Sequence, residues 1–297
     1  MCRSNKISDI QTGFEDLTSI TPSYDNEYSL LENIVSSKHC FKNRNNTSYF
    51  GKSYIQYHKG TISDRLSNII EYPINSGNKV LQFKLKSPNT VINNHENKGR
   101  VQLNIYNNIG IKHIDMSVRM YLHQDFNIIK SYPKSFNWLT ISEWWNNAGW
   151  TDEDYPFRIS LNIIKEHSMK SSPLVFKISA QTLNIKKRHW DQTIWQNVNR
   201  TFILPIDEWL TLKFKIIEGN TTNGRFIFSV IDQDGKLTNI FTINNYTHHP
   251  SDASPDGFTH INPIKLYTSG ILIDYIRNNG GALQILWDDL KISTDSN

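Results

Sequence analysis

The chain has 297 residues, of which 38% are hydrophobic and 12% aromatic, and it carries a formal net charge of +4. Its eight Trp, thirteen Tyr and fourteen Phe supply enough apolar surface to offset the entropy lost on folding, which excludes intrinsic disorder. Two cysteines are too few for a disulfide framework, and no apolar stretch approaches the roughly 20 residues that cross a bilayer. The positive excess is small and dispersed, which argues against a nucleic-acid partner.

The first residues indicate a tether rather than part of the fold. Met1, Cys2, Arg3 and Ser4 resemble the start of a bacterial lipoprotein after removal of its signal, with a lipidated cysteine followed by a polar segment. That resemblance implies a lipid anchor at Cys2 and an extracellular, cell-surface or periplasmic location. An ordinary start with an incidental cysteine is the alternative. We predict a tether over residues 1–12 and a single domain over residues 13–297.

Apolar and polar residues alternate through most of the chain, the pattern of β-strands with one buried face. The alternation is clearest at 114–123. Further strands are predicted at 81–86, 100–106, 157–163, 174–182, 209–217, 225–231 and 282–292. Segments rich in Asn and Gly, such as 75–78 and 278–281, separate these runs as turns. Short helices are predicted only near 63–70 and 141–147.

Many strands of moderate length with few helices predict two antiparallel sheets packed face to face. The predicted fold class is therefore all-β, an antiparallel β-sandwich or jelly roll. The sequence shows no internal repeat and no low-complexity linker, which favours one domain.

The two ends of the chain resemble concanavalin A-like carbohydrate-active jelly rolls. The similar segments are 13–16 (Gly-Phe-Glu-Asp), 49–54 (Tyr-Phe-Gly-Lys-Ser-Tyr) and 286–292 (Leu-Trp-Asp-Asp-Leu-Lys-Ile). The resemblance implies that the first and last strands lie side by side, and that Glu15 and Asp288 hold a structural calcium ion. Calcium takes several hard oxygen ligands, which carboxylates and backbone carbonyls supply. Two surface carboxylates at strand ends are the alternative reading.

The polar sides of the predicted strands form the candidate ligand-binding face. We predict four polar rows, whose members are Arg100, Gln102, Asn104 and Tyr106; Arg119, Tyr121 and His123; Arg158, Ser160 and Asn162; and Lys177, Ser179 and Gln181. The first two rows are expected on neighbouring strands. Such a mixture of cationic, amide and aromatic groups is typical of a surface that binds a polar, acidic polymer.

Two further segments resemble the jelly-roll polysaccharide lyases, such as the alginate and heparin lyase-like families. Segments 78–83 and 98–103 are similar to strands in which those lyases show Arg-x-Glu-Leu, and Gln102 stands here in place of their acidic residue. Segment 138–145 is similar to their Gln-x-His strand, with Trp145 at the histidine position. The resemblance implies cleavage of a uronic-acid polysaccharide by β-elimination, with a base that comes from another strand.

Elimination from a uronic acid removes the proton at C5, so the site must neutralise the sugar carboxylate and stabilise the developing enolate. Arg100, Gln102 and Arg119 are suited to this task because guanidinium and amide groups donate hydrogen bonds to carboxylates. Tyr121 and His123 are the predicted acid and base, since their i,i+2 spacing places both on one side of a strand.

Substrate-binding residues are predicted along the same face and in an aromatic-rich loop region. Sugars stack their C–H faces on indole rings, and adjacent Trp residues in a strand point in opposite directions. The predicted substrate contacts are Asn104, Arg158, Asn162, Lys177, Gln181, Trp144 and Trp190.

Two other functions remain open from the sequence. One is a noncatalytic glycan-binding surface lipoprotein, which the missing Gln-x-His favours. The other is a glycoside hydrolase on the same fold, which needs two carboxylates flanking the scissile bond. No Glu-x-Asp-x-x-Glu strand motif occurs in the sequence.

Overall fold

The computed structural model describes residues 9–15, 19–22, 28–32, 50–92, 96–148, 154–184 and 189–294. Cys2 and most of the predicted tether lie outside these residues. No helix among them is both long and apolar enough to cross a membrane.

The first half of the described chain is built almost entirely of strands. In order they are β1 (Asp9–Thr12), β2 (Ser19–Pro22), β3 (Tyr28–Glu32), β4 (Lys52–Gln56), β5 (Arg65–Glu71), β6 (Lys79–Leu85), β7 (Thr90–Ile92), β8 (Glu96–Tyr106), β9 (His113–Leu122), then helix α1 (Phe126–Lys130) and β10 (Thr140–Asn146). The second half comprises β11 (Phe157–Ile164), β12 (Val175–Asn184), β13 (His189–Asn199), β14 (Trp209–Ile217), β15 (Arg225–Ile231), β16 (Leu237–Asn244), β17 (His260–Asn262), β18 (Lys265–Ser269), helix α2 (Gly270–Asn278) and β19 (Leu283–Ser293).

The described strands form two antiparallel sheets, as the alternating pattern predicts. The eight-stranded sheet has the order β16-β15-β14-β9-β19-β6-β5, with β1 paired to β19. The eleven-stranded sheet has the order β13-β12-β11-β10-β17-β8-β4-β3-β2, with β18 paired to β10 and β8 and β7 paired to β8. The all-β sandwich is confirmed.

One continuous apolar core lies between the sheets because each strand turns every second side chain inward. From β9 it takes Val118 and Met120, and from β11 it takes Ile159 and Leu161, all at 0% exposure. A separate small cluster of Val80, Tyr121 and Leu286 lies outside this core on the eight-stranded sheet. The side chains that alternate with the core residues of the eleven-stranded sheet therefore point away from the core.

Three local expectations are wrong in detail. Residues 9–12, predicted as tether, form β1, which pairs with β19 from Asp9↔Ser293 to Thr12↔Leu290. The first and last described strands are thus neighbours, as the resemblance implies. The segments predicted as helices at 63–70 and 141–147 are largely strands β5 and β10, while α1 and α2 lie elsewhere. A short apolar run fits the period of a helix as well as that of a strand, and pairing with neighbouring strands made these segments strands.

Candidate active site

Three rows of side chains cross the outward side of the eleven-stranded sheet, here called the polar face. Strand register places the first row as Arg100, Tyr267, Thr140, Asn162 and Lys177. The second row consists of Asn262, Glu143, Ser160 and Ser179. The third row consists of Tyr106, His260, Trp145, Arg158 and Gln181. Residues from six strands, some of them distant in sequence, thus share one surface.

A buried carboxylate with two cationic partners occupies the middle of the polar face. Lys265 donates a short hydrogen bond to Glu143 Oε2, and Arg158 Nη1 lies 3.5 Å from Glu143 Oε1. Ser160 Oγ donates to the same Oε1 at 3.4 Å. The side chains of Glu143 and Lys265 are only 1% and 3% exposed, so water screens this pair weakly.

Neighbouring charges set the ionisation of Glu143 and Lys265. Burial alone would raise the pKa of Glu143, but the charges of Lys265, Arg158 and Arg100 outweigh it and hold that pKa below its usual range. Burial and the two arginines lower the pKa of Lys265 and Glu143 raises it, with a net result of about 8. A lysine amine with such a pKa is neutral in a minority of molecules at neutral pH and in most molecules above pH 8.

Amide side chains form a network beside this charged group. Gln102 Nε2 donates to Asn104 Oδ1 at 2.7 Å, and Asn262 Nδ2 donates to the same oxygen at 2.5 Å. Gln102 Oε1 and Arg100 Nε are buried without a hydrogen-bond partner among the described residues. Buried polar atoms normally have hydrogen-bond partners, so water or a ligand would be needed to satisfy these two.

Aromatic rings frame the charged group on two sides. The guanidinium of Arg100 lies 4.4 Å from the ring centre of Tyr267, and Lys265 Nζ lies 5.1 Å from the same centre. On the other side His260 stacks on Tyr106 with their ring centres 6.0 Å apart. Burial lowers the pKa of His260 to about 4, so its imidazole is neutral at physiological pH. The polar face therefore combines cations, amides and aromatic surface.

Many of the predicted site residues come together here. The polar face gathers Arg100, Gln102, Asn104, Arg158, Asn162, Lys177 and Gln181. Arg158 donates to Gln181 Oε1 from Nη2 at 2.9 Å and from Nε at 3.2 Å. Their roles in catalysis or binding stay predictions.

The structure does not bring Arg119, Tyr121 and His123 to this face. They lie on β9, which pairs with β14 and β19 in the eight-stranded sheet, so the expected adjacency of β8 and β9 is wrong. The connection after β8 crosses from one sheet to the other, which periodicity within each strand cannot reveal. There Tyr121 donates to Asp207, and Gln284 Nε2 lies 3.0 Å from His123 Nδ1.

The predicted tryptophan contacts also need correction. Trp144 has 0% exposure and packs in the core against Phe214 and Phe226, so it cannot meet a ligand on the polar face. Its neighbour Trp145 points to the polar face, where its Nε1 donates to Asn262 Oδ1 at 3.3 Å. The side chain of Trp190 lies outside the described residues.

Sequence reasoning missed Glu143, Lys265, Tyr267, His260 and Asn262 as a group. The spacing of Lys265 and Tyr267 around buried Leu266 is a signal that could have placed both on one side of a strand. Nothing local indicates that this strand pairs with β8, because the two are separated by more than 150 residues of chain.

The predicted calcium ligands lie near each other but form an incomplete site. A Cβ added at Gly13 would lie 3.7 Å from Glu15 Cγ and 3.9 Å from Asp288 Oδ1. Asp288 Oδ1 accepts the Asp289 N–H at 2.8 Å, and Arg119 Nη1 lies 3.4 Å from Asp288 Oδ2. Within the described ranges no three His, Cys, Asp or Glu side chains form a group able to hold a metal ion. A nearby guanidinium opposes a cation, so this donor set does not fit calcium as it stands.

Comparisons with known proteins reveal similarity at the level of structure. No protein-family model matches the chain, and no curated protein matches its sequence. Among solved structures, alginate lyase Aly36B is similar with 11% identity and a TM-score of 0.51, covering 97% of this chain and 98% of that one. An endo-β-1,4-glucuronan lyase from the fungus Trichoderma reesei has 12% identity and a TM-score of 0.48, covering 80% and 94% of the two chains. The two antiparallel sheets and the similarity to the alginate lyase show that the chain has a β-sandwich fold of the jelly-roll type.

Proposed function

We propose that this protein cleaves a uronic-acid polysaccharide by β-elimination on its polar face. The observation that carries the proposal is the gathering of three cations in this buried group, where Lys265, Arg158 and Arg100 all act on the carboxylate of Glu143. An anionic sugar would be attracted to these cations and could reach Arg100 Nε, which has no hydrogen-bond partner among the described residues. The jelly-roll fold, which an alginate lyase also has, is compatible with this function.

The proton transfers are assigned to two neighbours on β18. The neutral amine of Lys265 accepts the C5 proton, and the electron pair of that C–H bond forms the C4–C5 double bond as the C4–O4 bond breaks. Glu143 keeps a counter-charge in Arg158, 3.5 Å away, while Lys265 is neutral. The hydroxyl of Tyr267 donates its proton to the leaving oxygen.

Arg100 and the amides act on the sugar carboxylate. Elimination places negative charge on this carboxylate as the C5 proton leaves, so donors fixed beforehand lower the barrier. Gln102 and Asn104 are held by their mutual hydrogen bond and by Asn262, which fixes their orientation without a ligand. Arg100 is held by stacking on Tyr267.

The direct test is incubation with a panel of uronic-acid polysaccharides while the ultraviolet absorbance of an unsaturated product is recorded. We expect absorbance with at least one acidic polymer and none with neutral glucans. Arg100→Ala should abolish it, whereas Lys213→Ala, an exposed lysine on β14 of the other sheet, should leave it unchanged. Binding or new reducing ends without absorbance would exclude elimination.

A noncatalytic glycan-binding function is the second candidate. The exposures of 1% for Glu143 and 3% for Lys265 favour it, because groups already paired and shielded serve as a rigid floor more readily than as proton carriers. Binding without any covalent product would support this function.

Hydrolysis is disfavoured because the strands at the centre of the polar face contain too few carboxylates. Strands β10, β11, β12, β17 and β18 contain Glu143 as their one Asp or Glu. Glycoside hydrolases ordinarily need two such groups flanking the scissile bond.

Calcium at Glu15 and Asp288 stays a prediction, as do the anchor at Cys2 and an extracellular or cell-surface location. Burial is the main reason that the pKa of Asp288 is raised to about 6. Thermal melts with and without calcium test the metal. A rise in Tm that Asp288→Asn abolishes would support the site, and an unchanged Tm would remove it.

A further inference from the structure

A cavity of about 760 Å³ lies at one end of the polar face. Its lining includes Phe136, Asn137, Lys177, Gln196 and Val198. Lys177 is the last member of the first row, paired in register with Asn162 on one side and Val198 on the other. The cavity therefore continues the row that begins at Arg100 and Tyr267.

The three cationic side chains that line this cavity differ in their binding partners. Arg200 binds Glu166 through two hydrogen bonds of 2.8 and 2.7 Å. Lys165 is fully buried and donates to the backbone carbonyls of Lys130 and Tyr132. Lys177, by contrast, is half-buried and is attracted by the charge of Glu166, which also lines the cavity, but it makes no hydrogen bond or ion pair within 4 Å with any residue that the structure describes. It is thus the lining cation that is available to a ligand.

We infer that this cavity is a second carboxylate-binding subsite, in which Lys177 holds a uronate unit of the same glycan chain that Arg100 and Tyr267 engage. The inference rests on the proposed function. From Tyr267 on β18 the first row crosses β10 and β11 to reach Lys177 on β12. Three strand spacings amount to about 14 Å, a span of several sugar units. Asn137 and Gln196 add amide groups for the sugar hydroxyls.

This subsite makes affinity depend on the length of the bound chain. An oligomer too short to reach from Tyr267 to the cavity gains nothing from Lys177. A longer one adds a charge-assisted hydrogen bond in a partly desolvated place, which corresponds to at least about tenfold in affinity. The substrate class is then a polymer with carboxylates on units at both positions, rather than one with an isolated acidic sugar.

Calorimetric titration with a ladder of uronic-acid oligomers, from the dimer upward, tests the inference. Wild-type Kd should fall in a step at the length that reaches the cavity. Lys177→Ala should raise the Kd of the oligomers that reach the cavity by roughly tenfold or more, which removes the step. The Kd of the shortest oligomers should stay unchanged. Lys177→Arg should restore the step, and Lys213→Ala on the other sheet should preserve it.

The outcomes separate this inference from the proposed function. Equal weakening of short and long oligomers by Lys177→Ala, or no weakening, overturns the subsite even if wild-type protein generates unsaturated product. A length-dependent loss supports the subsite even if no product forms, in which case elimination alone is overturned. The absence of any oligomer binding by wild-type protein overturns both. Thermal melts of each variant verify that it is folded.

Discussion

At the scale of single residues, Glu143 decides the character of the polar face. Among the described residues it is the carboxylate that pairs with both Lys265 and Arg158, and its side chain and that of Lys265 are shielded from water. A buried ion pair adds little net stability when it forms, but removing one partner leaves an uncompensated charge. Glu143 is therefore expected to be structurally required even though it faces away from the core.

Replacing Glu143 with Gln should lower the free energy of unfolding by about 3 kcal/mol or more at neutral pH, because Lys265 and Arg158 lose their buried counter-charge and Lys265 must either stay charged without it or give up its proton. The loss should shrink above the pKa of Lys265, where the amine is neutral. Chemical denaturation at several pH values measures it. Glu166→Gln, which breaks the more exposed pair with Arg200, should cost less than about 1 kcal/mol. Similar losses in the two variants would contradict this account.

The depressed pKa of Lys265 also predicts the pH dependence of elimination. Only the neutral amine accepts a proton, so the rate should rise with pH through about 8 and then level off. Initial rates of absorbance change across this range provide the measurement. Lys265→Arg keeps the positive charge but removes the base, and it should abolish the rise together with most of the rate. A wild-type rate that is flat with pH would argue against Lys265 as the base.

At the scale of elements, the position of β17 depends on the connection that precedes it. Asn146 donates to Glu218 Oε1 at 2.6 Å and to the carbonyl of Gly257 at 2.8 Å. The N–H of Gly257 donates to the same Glu218 oxygen at 2.9 Å. These three hydrogen bonds fix the chain immediately before β17, which contributes His260 and Asn262 to the polar face.

Gly257→Ala should destabilise the protein by about 3 kcal/mol, because two costs combine. Gly257 has φ +109°, and an added Cβ would lie 2.6 Å from the backbone nitrogen of Ile111. Gly280 has φ +83° with nothing within 4 Å of the added Cβ, so Gly280→Ala should cost only about 1–2 kcal/mol. Denaturant midpoints compare the two, and equal losses would show that the close approach to Ile111 is unimportant.

At the scale of the whole molecule, the sandwich separates two tyrosines, Tyr267 and Tyr121. The alternating pattern alone makes them equally plausible as the proton donor. Tyr267 lies on the polar face beside Arg100 and Lys265. Tyr121 lies on the outward side of the other sheet, within a cluster that includes Tyr72 and Trp209. Because the core lies between the two sheets, a ligand bound over one tyrosine does not contact the other.

Tyr267→Phe should reduce the elimination rate by roughly a hundredfold or more, because it removes the proposed proton donor. Tyr121→Phe should keep the rate and cost about 1 kcal/mol of stability through the lost hydrogen bonds to Asp207 and Tyr72. Rates and melting curves of both variants form a matched pair. A loss of activity in Tyr121→Phe with Tyr267→Phe active would move the site to the eight-stranded sheet.

The alternating pattern of amino acids is enough to predict most of the strands and the side of each strand on which a residue lies. Arg100, Gln102 and Asn104 share one side of β8, and Arg158 and Asn162 share one side of β11, because the two-residue period is a local property of extended backbone. The same period indicated the sandwich, since each strand needs a second layer to cover its apolar side.

The identity of neighbouring strands depends on long-range packing and cannot be predicted from any single strand. β8 pairs with β17, β18 and β4, and β9 pairs with β14 and β19, so the predicted row of Arg119, Tyr121 and His123 belongs to the opposite surface. Trp144 and Trp145 likewise point to opposite sides of β10, and the position of the core makes Trp144 the one that packs inside. Pairing depends on long-range contacts that form when the whole core is buried, and the alternation within a strand is the same whichever sheet receives it.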